Sequence, residues 1–438
     1  MDKFIKRDVW DKVVNDLQKE EITIILGPRQ VGKTTLILKL INYLKDHGVK
    51  KEQIYYYNLD DVELRGRIKK DFYFLKKDIE QTFGKTLENI KDKLFLFIDE
   101  GQKVPAIFEL VKIFFDQKYR LKIIISGSSS ITIKDKSAET LAGRVSYFYL
   151  SPLIFSELAE KNLSIYNNLE KIPNSDFLRE KTAEGYRNIK EYQYLLDKML
   201  LFGAFPKVVN LNPSDAVNSL NNFIATYLDK DIKDIGSRVD IENFHLSFKN
   251  LIDYLANLIN FSKLSSDLGI KRDSIYHYFE LMEKTLVVQT VPPFIFPNLK
   301  HIFKSKKFFF FDNGVATRLK GYLNLDELKR SQFTGSLFEN FIFQNLYCRS
   351  LNDIKKPSFY YFRDYQNHEI DFIYQRGDVI VPIEATYSHK IEKAKLRNFH
   401  HFFRLYPKAS YGIIFYLGEV QKISIGEKSI FTLPFFLV

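Results

Sequence analysis

One junction constrains this chain more than any other. A short run rich in β-branched residues, "ITIIL" (22–26), passes through "GPRQVGKTT" (27–35) into "TTLILKLINYLK", which has helical spacing. A β-branched run ending at glycine reads as a buried parallel strand. A glycine-rich loop between such a strand and a helix N-terminus makes a concave array of backbone N–H groups suited to phosphate. In that reading Gly27, Pro28, Arg29, Gln30, Val31 and Gly32 wrap the phosphates of ATP, with Thr35 completing the loop. Lys33 reaches the β- and γ-phosphates, and the Thr34 hydroxyl ligates Mg²⁺.

A nucleotide loop of this kind needs a carboxylate to hold the metal. "LFLFIDE" (94–100) supplies one where a buried strand emerges at the ligand edge of a parallel sheet. Asp99 would orient Mg²⁺, and Glu100 would act as the general base on the attacking water. A whole strand candidate, "QIYYYNL" (53–59), separates the two motifs. Together with the acid after the aspartate, it places the chain in the division of NTPases with an extra strand between them. "KIIISGSSS" ends a further strand at Ser126, Ser128 and Ser129, where a hydroxyl can sense the γ-phosphate or cap the loop. "LAGRVSYFYL" offers Arg144 as an arginine finger, acting within the subunit or from a neighbour in an oligomer, or as a surface ion pair.

The chain has 438 residues, too many for one core, so several domains are expected. Strands alternating with helices over the first part predict a parallel sheet covered on both faces. The expected divisions are a P-loop ATPase domain (1–155), a helical lid or linker (156–245), a helix-turn-helix with a wing (246–300) and a C-terminal α/β region (301–438). "EYQYLLDKMLLFGAFPKVV" and "LSFKNLIDYLANLIN" read as helices, the latter from Leu251, Leu255 and Leu258. A net charge of +11 admits DNA as a partner, though it also fits a soluble protein. A single cysteine, Cys348, rules out an intramolecular disulfide framework and fits a reducing cytoplasm. The N-terminus lacks the apolar core of a signal peptide, and no apolar run is long enough to predict a membrane span.

Taken in order, "GPRQVGKTTL", "FIDEGQKVP", "SGSSS", "LAGRV" and "LSPLIFSEL" resemble the AAA+ superfamily of bacterial and archaeal ATP-binding proteins, near its STAND-like branch. "GAFPKVV", "KFFFFDNGVATRL" and "EIDFIYQ…PIEAT" resemble the landmarks of the C-terminal region in that family. The resemblance implies an ATPase core, a helical segment, a winged helix and a terminal domain related to restriction-endonuclease folds. Lys33, Thr34, Asp99 and Glu100 match the nucleotide motifs of the family. Gly101 departs from them, since an apolar residue is more usual there.

In "KLSSDLGIKRDSIYHYFELMEK", Leu264 and Leu268 would pack one helix, Gly269 would turn the chain, and Ile275, Tyr278, Phe279 and Met282 would form the buried stripe of a second. Its outer face would show Arg272, Ser274 and His277 to DNA, with Asp273 and Glu280 opposing; the alternative is a protein-binding surface. "TLVVQTVPPF" would supply the wing. In the C-terminal region, Glu339, Asp371 and Glu384 follow the order of a metal-dependent nuclease site and form a possible second metal site. Thr386 stands where such sites carry lysine, so a nuclease-derived binding or structural domain is the alternative to an active nuclease. Lys390 is a candidate substitute. His400 and His401 have no ligand spacing with other residues and are expected at the surface.

Overall fold

The computed structural model describes residues 4–128, 140–173, 176–227, 239–295 and 305–438. They form two compact units, one spanning Arg7–Ser151 with Lys284–Leu286 and the other the remaining residues. The chain is an α/β protein with a parallel sheet flanked by helices, a helical region and a C-terminal mixed sheet. Among the described residues no helix is long and apolar enough to cross a membrane.

The first unit holds β1 (Ile22–Leu26), β2 (Ile54–Asn58), β3 (Leu94–Asp99), β4 (Leu121–Gly127) and β5 (Val145–Tyr149) in the order β2-β3-β4-β1-β5. All pairings are parallel. β1 and β3 are buried along their whole length, as unbroken apolar strands covered on both faces should be. β4 lies between β1 and β3, so the loop strand and the acid strand are not neighbours. An inserted strand is therefore present as expected, but it is β4; β2, the candidate that separates the two motifs in sequence, lies at the sheet edge beside β3.

In the second unit β6 (Val288–Val291) and β7 (Lys307–Phe310) form an antiparallel pair. The mixed sheet is β12-β13-β11-β10-β9-β8, built from β8 (Ser358–Arg363), β9 (Glu369–Arg376), β10 (Val379–Ala385), β11 (Tyr411–Tyr416), β12 (Gln421–Ile425) and β13 (Lys428–Pro434). Helix Phe333–Ser350 precedes an antiparallel meander of β8, β9 and β10. Helix Lys393–Leu405 then crosses to β11, which runs parallel to β10. Phe399, Phe402, Ile373 and Ile414 lie in one core on the sheet.

Three expectations change here. The helix at Ile189–Phe202 stops at Gly203, whose φ is 72°, so "GAFPKVV" is not helical. The helix Ile241–Leu251 ends before Leu255 and Leu258, which instead bridge to Phe308 and Lys307 of β7. Pairing with a strand edge overrides the helical spacing there. "TLVVQTVPPF" supplies only β6, and its partner β7 lies beyond residue 300, so a boundary at 300 cuts through the pair. The buried stripe of helix Arg272–Lys284 is as expected: Ile275, Tyr278, Phe279 and Met282 are all buried. Asp312 joins two distant landmarks. Its side chain caps helix Asn313–Lys320 through the Val315 N–H at 3.1 Å and accepts the Ala204 N–H at 2.7 Å.

Candidate nucleotide site

The loop after β1 is shaped by two glycines. A Cβ on Gly27 would run into the carbonyl oxygen of Leu150, at the end of β5. Gly32 has φ of 95°, a left-handed conformation that favours glycine. Gln30, with φ of 63°, shares this region at the loop tip. Pro28 and Val31 are buried, Arg29 is half-buried, and Gln30, Thr34 and Thr35 are exposed. Lys33 is buried at the start of helix Lys33–Asp46, and its Nζ donates to the carbonyls of Gly27 and Pro28 at 2.9 Å each.

Sequence reasoning missed the residue that holds this loop from behind. Arg7 is buried and donates to the carbonyls of Val31 (2.8 Å) and Ser151 (2.6 Å). It fastens the loop to the end of β5. A lone arginine so far upstream carries no local signal of that role.

Thr34 and Asp99 meet as a metal site requires. Thr34 Oγ1 donates to Asp99 Oδ2 at 2.6 Å, while Asp99 Oδ1 accepts from Ser126 Oγ. Tyr56 Oη also donates to Asp99 Oδ2, at 3.2 Å. Burial, then the Asp99 carboxylate, push the Tyr56 phenol up to about 12, so it stays a donor at neutral pH. A hydroxyl and a carboxylate in contact beside a helix N-terminus fit Mg²⁺, which Thr34 and Asp99 would hold.

Glu100 stands one residue on, with φ of 56°. Its Oε2 accepts from Gln102 Nε2 at 2.5 Å and Ser128 Oγ at 3.3 Å, and Gln102 Nε2 also donates to Ser128 at 3.0 Å. Gln102 was not anticipated. The departure at Gly101 has a steric cause, since a Cβ there would meet Ile125 Cγ2 at 2.5 Å. Ser126 and Ser128 thus both touch the acid pair, whereas Ser129 lies outside the described residues.

Arg144 is not brought to this site. Its carbonyl accepts the Ile22 N–H at 2.8 Å, at the start of β1, so it lies at the opposite edge of the sheet, about 16 Å away at ~3.3 Å per strand residue. Its guanidinium pairs with Asp116 at 2.7 Å. Arg144 therefore does not reach the phosphates of its own subunit, and it forms the ion pair that was the alternative.

In the C-terminal unit Glu339, Asp371 and Glu384 reach one buried cluster, arranged around two lysines. Lys307 Nζ pairs with Glu339 (2.6 Å), Glu369 (3.0 Å) and Asp371 (3.4 Å). Lys395 pairs with Asp371 at 3.3 Å and with Glu384. The lysines of this cluster thus come from β7 (Lys307) and from helix Lys393–Leu405 (Lys395), and the candidate Lys390 is not among them. Burial, then the Asp371 charge, push Glu339 up to about 8 and Glu384 well above the ordinary range. Burial also raises Asp371, but Lys395 and Lys307 more than reverse it and hold that carboxyl low.

The parallel sheet, the loop and the Asp99–Glu100 pair define a P-loop NTPase domain. Residues 19–159 match the family model described as an AAA domain, the ATP-binding class expected above. Residues 193–328 and 334–436 match two further models, each described as a domain of unknown function. An uncharacterized protein of Haemophilus influenzae is 24% identical over 378 residues, 84% of this chain and 82% of that protein. One of Mycobacterium tuberculosis is 22% identical over 377 residues, 84% of this chain and 70% of that protein. Among solved structures, AMPPCP-bound DnaA from Aquifex aeolicus aligns with 63% of this chain and 86% of its own, with TM-score 0.26 and 14% identity.

Proposed function

We propose that the chain is an Mg²⁺-dependent ATPase whose second unit binds DNA. The observation that supports hydrolysis is the contact of Thr34 with Asp99 beside Glu100. Mg²⁺, when bound, neutralises phosphate charge. Lys33 supplies a second positive charge to the β- and γ-phosphates. Gln102 and Ser128 engage Glu100 Oε2, which leaves Oε1 to accept the proton of the attacking water.

DNA is the partner that the net charge of +11 favours. The helix-turn-helix, followed by the β6–β7 pair, reads as a winged helix, with Arg272 and His277 exposed on its second helix. Asp273 and Glu280 are exposed on the same helix and oppose phosphate. The test is steady-state ATP hydrolysis with and without duplex DNA at two salt concentrations. Stimulation that fades at high salt is expected, because each phosphate contact releases counterions. A rate indifferent to DNA would overturn this reading and make a protein the partner.

One observation favours a second reading, a metal-dependent nuclease: Lys395 stands beside Asp371 and Glu384. Four carboxyl groups share two ammonium groups, and a divalent cation would supply the remaining charge in place of protons on Glu339 and Glu384. Plasmid nicking that requires Mg²⁺ or Mn²⁺ and is lost in Lys395→Ala is the expected result of this reading. Absence of nicking with either ion leaves the cluster a structural element.

A further inference from the structure

The turn between β8 and β9 is built around Asp364. Its Oδ1 accepts the N–H groups of Gln366 (2.9 Å) and His368 (3.0 Å), and the Asp364 N–H donates back to the His368 carbonyl at 3.1 Å. Asn367, with φ of 60°, completes the reversal. With Oδ1 fixed by backbone, Oδ2 is aimed at two imidazoles. His368 Nδ1 and His401 Nε2 each lie 3.0 Å from it, and one ligand atom from each of the three residues lies within 4.8 Å of the others. The side chains of Asp364, His368 and His401 are only 10%, 19% and 11% exposed. This corrects the expectation that His401 is an unpartnered surface residue.

We infer that Asp364, His368 and His401 form a binding site for a borderline transition metal ion of the Zn²⁺ class. Two imidazole nitrogens and one carboxylate oxygen suit such an ion, whereas Mg²⁺ and Ca²⁺ prefer all-oxygen shells. Ligands about 2.1 Å from a tetrahedral ion lie roughly 3.4 Å apart, so the two 3.0 Å edges need open by only a few tenths of an ångström. Three protein ligands leave a fourth position for water. The backbone bonds on Oδ1 are the outer support that orients a carboxylate ligand.

Loading requires two local changes. The rings are stacked with centroids 3.8 Å apart and planes 8° from parallel, so their lone pairs do not converge and the rings must splay. The χ2 torsion of histidine is broad and permits this. Arg404 Nη2 lies 3.2 Å from His401 Nδ1, which assigns the ring proton to Nε2. On loading, the protons on His401 Nε2 and on His368 Nδ1, which donates to Asp364 Oδ2, pass through solvent to the other nitrogen of each ring, and Arg404 turns outward. An ion here ties the β8–β9 turn to helix Lys393–Leu405, the helix that also carries Lys395. The inference does not depend on the nucleotide site or on nuclease activity.

The test uses the full chain freed of metal with a chelator and titrated with Zn²⁺ by calorimetry, with Co²⁺ as a spectroscopic substitute. One Zn²⁺ per chain is expected, with a Co²⁺ visible spectrum of nitrogen and oxygen coordination. Affinity should fall at least tenfold in His368→Ala and in His401→Ala. The milder His401→Gln, checked for folding by circular dichroism, should show the same loss. Glu384→Gln should keep the ion, which separates this site from the neighbouring carboxyl–lysine cluster. No binding, binding unchanged in both histidine variants, or binding lost in Glu384→Gln would each overturn the assignment.

Discussion

Replacing Glu100 by glutamine should lower ATP turnover by about 10²–10⁴-fold, the span that general base catalysis contributes, while nucleotide affinity stays within a few-fold. The substitution keeps an oxygen at the position that accepts from Gln102 and Ser128. The local network is therefore largely retained, and what is lost is the proton acceptor. Lys33→Ala should behave differently, weakening nucleotide binding itself, because the phosphates lose their buried ammonium partner. Single-turnover hydrolysis, together with binding of a fluorescent ATP analogue, checks both. Equal loss of binding in the two variants would mean that Glu100 positions the loop, and its role as base would then fail.

Lys307→Met should destabilise the second unit by roughly 3–5 kcal/mol, the usual cost of removing one partner from a buried charge cluster. Lys307 is wholly buried, and its ammonium group is shared by Glu339, Glu369 and Asp371. Without it those carboxyl groups face one another in a medium that solvates them poorly. The double variant Lys307→Met/Glu339→Gln should recover part of the loss, since one charge that needed a partner is gone. Trp10 is the sole tryptophan of the chain and lies in the nucleotide-binding unit. Its fluorescence should therefore keep its urea midpoint while the circular dichroism transition moves to lower urea. An unchanged dichroism midpoint would refute the counter-charge role of Lys307.

The parts of this molecule that could be read from sequence are those written in consecutive residues. Strand, glycine loop, Lys33 and Thr34 occur in one run, and β3 delivers Asp99 and Glu100 at its end. Tyr56 was less legible, because three adjacent tyrosines give no local reason to single one out. Its role follows from register: Asn58 pairs with Asp99, placing Tyr56 two residues back on the same face. Arg7, Lys395 and His401 were illegible for a different reason. Each acts on residues far away in the chain, and only the topology brings its helix or segment to the right place. Leu255 and Leu258 misled because apolar spacing is satisfied equally by a helix face and by bridges to a strand edge. The carboxylate order of Glu339, Asp371 and Glu384 was visible, but the lysines between them were not.

β7 shows two faces to its surroundings. Lys307 and Phe309 turn toward the carboxyl cluster, with Phe309 stacked on Phe343 at 4.1 Å. Phe308 and Phe310 turn the other way, to Phe279 and Phe248 of the helical region. A four-residue strand is thus common property of the helix-turn-helix and the mixed sheet. Severing the chain around residue 300 would strip the helices of their aromatic wall and leave the other fragment with bare phenylalanines. Either half, moved to another protein, would need β7 to go with it to keep its aromatic and ionic contacts.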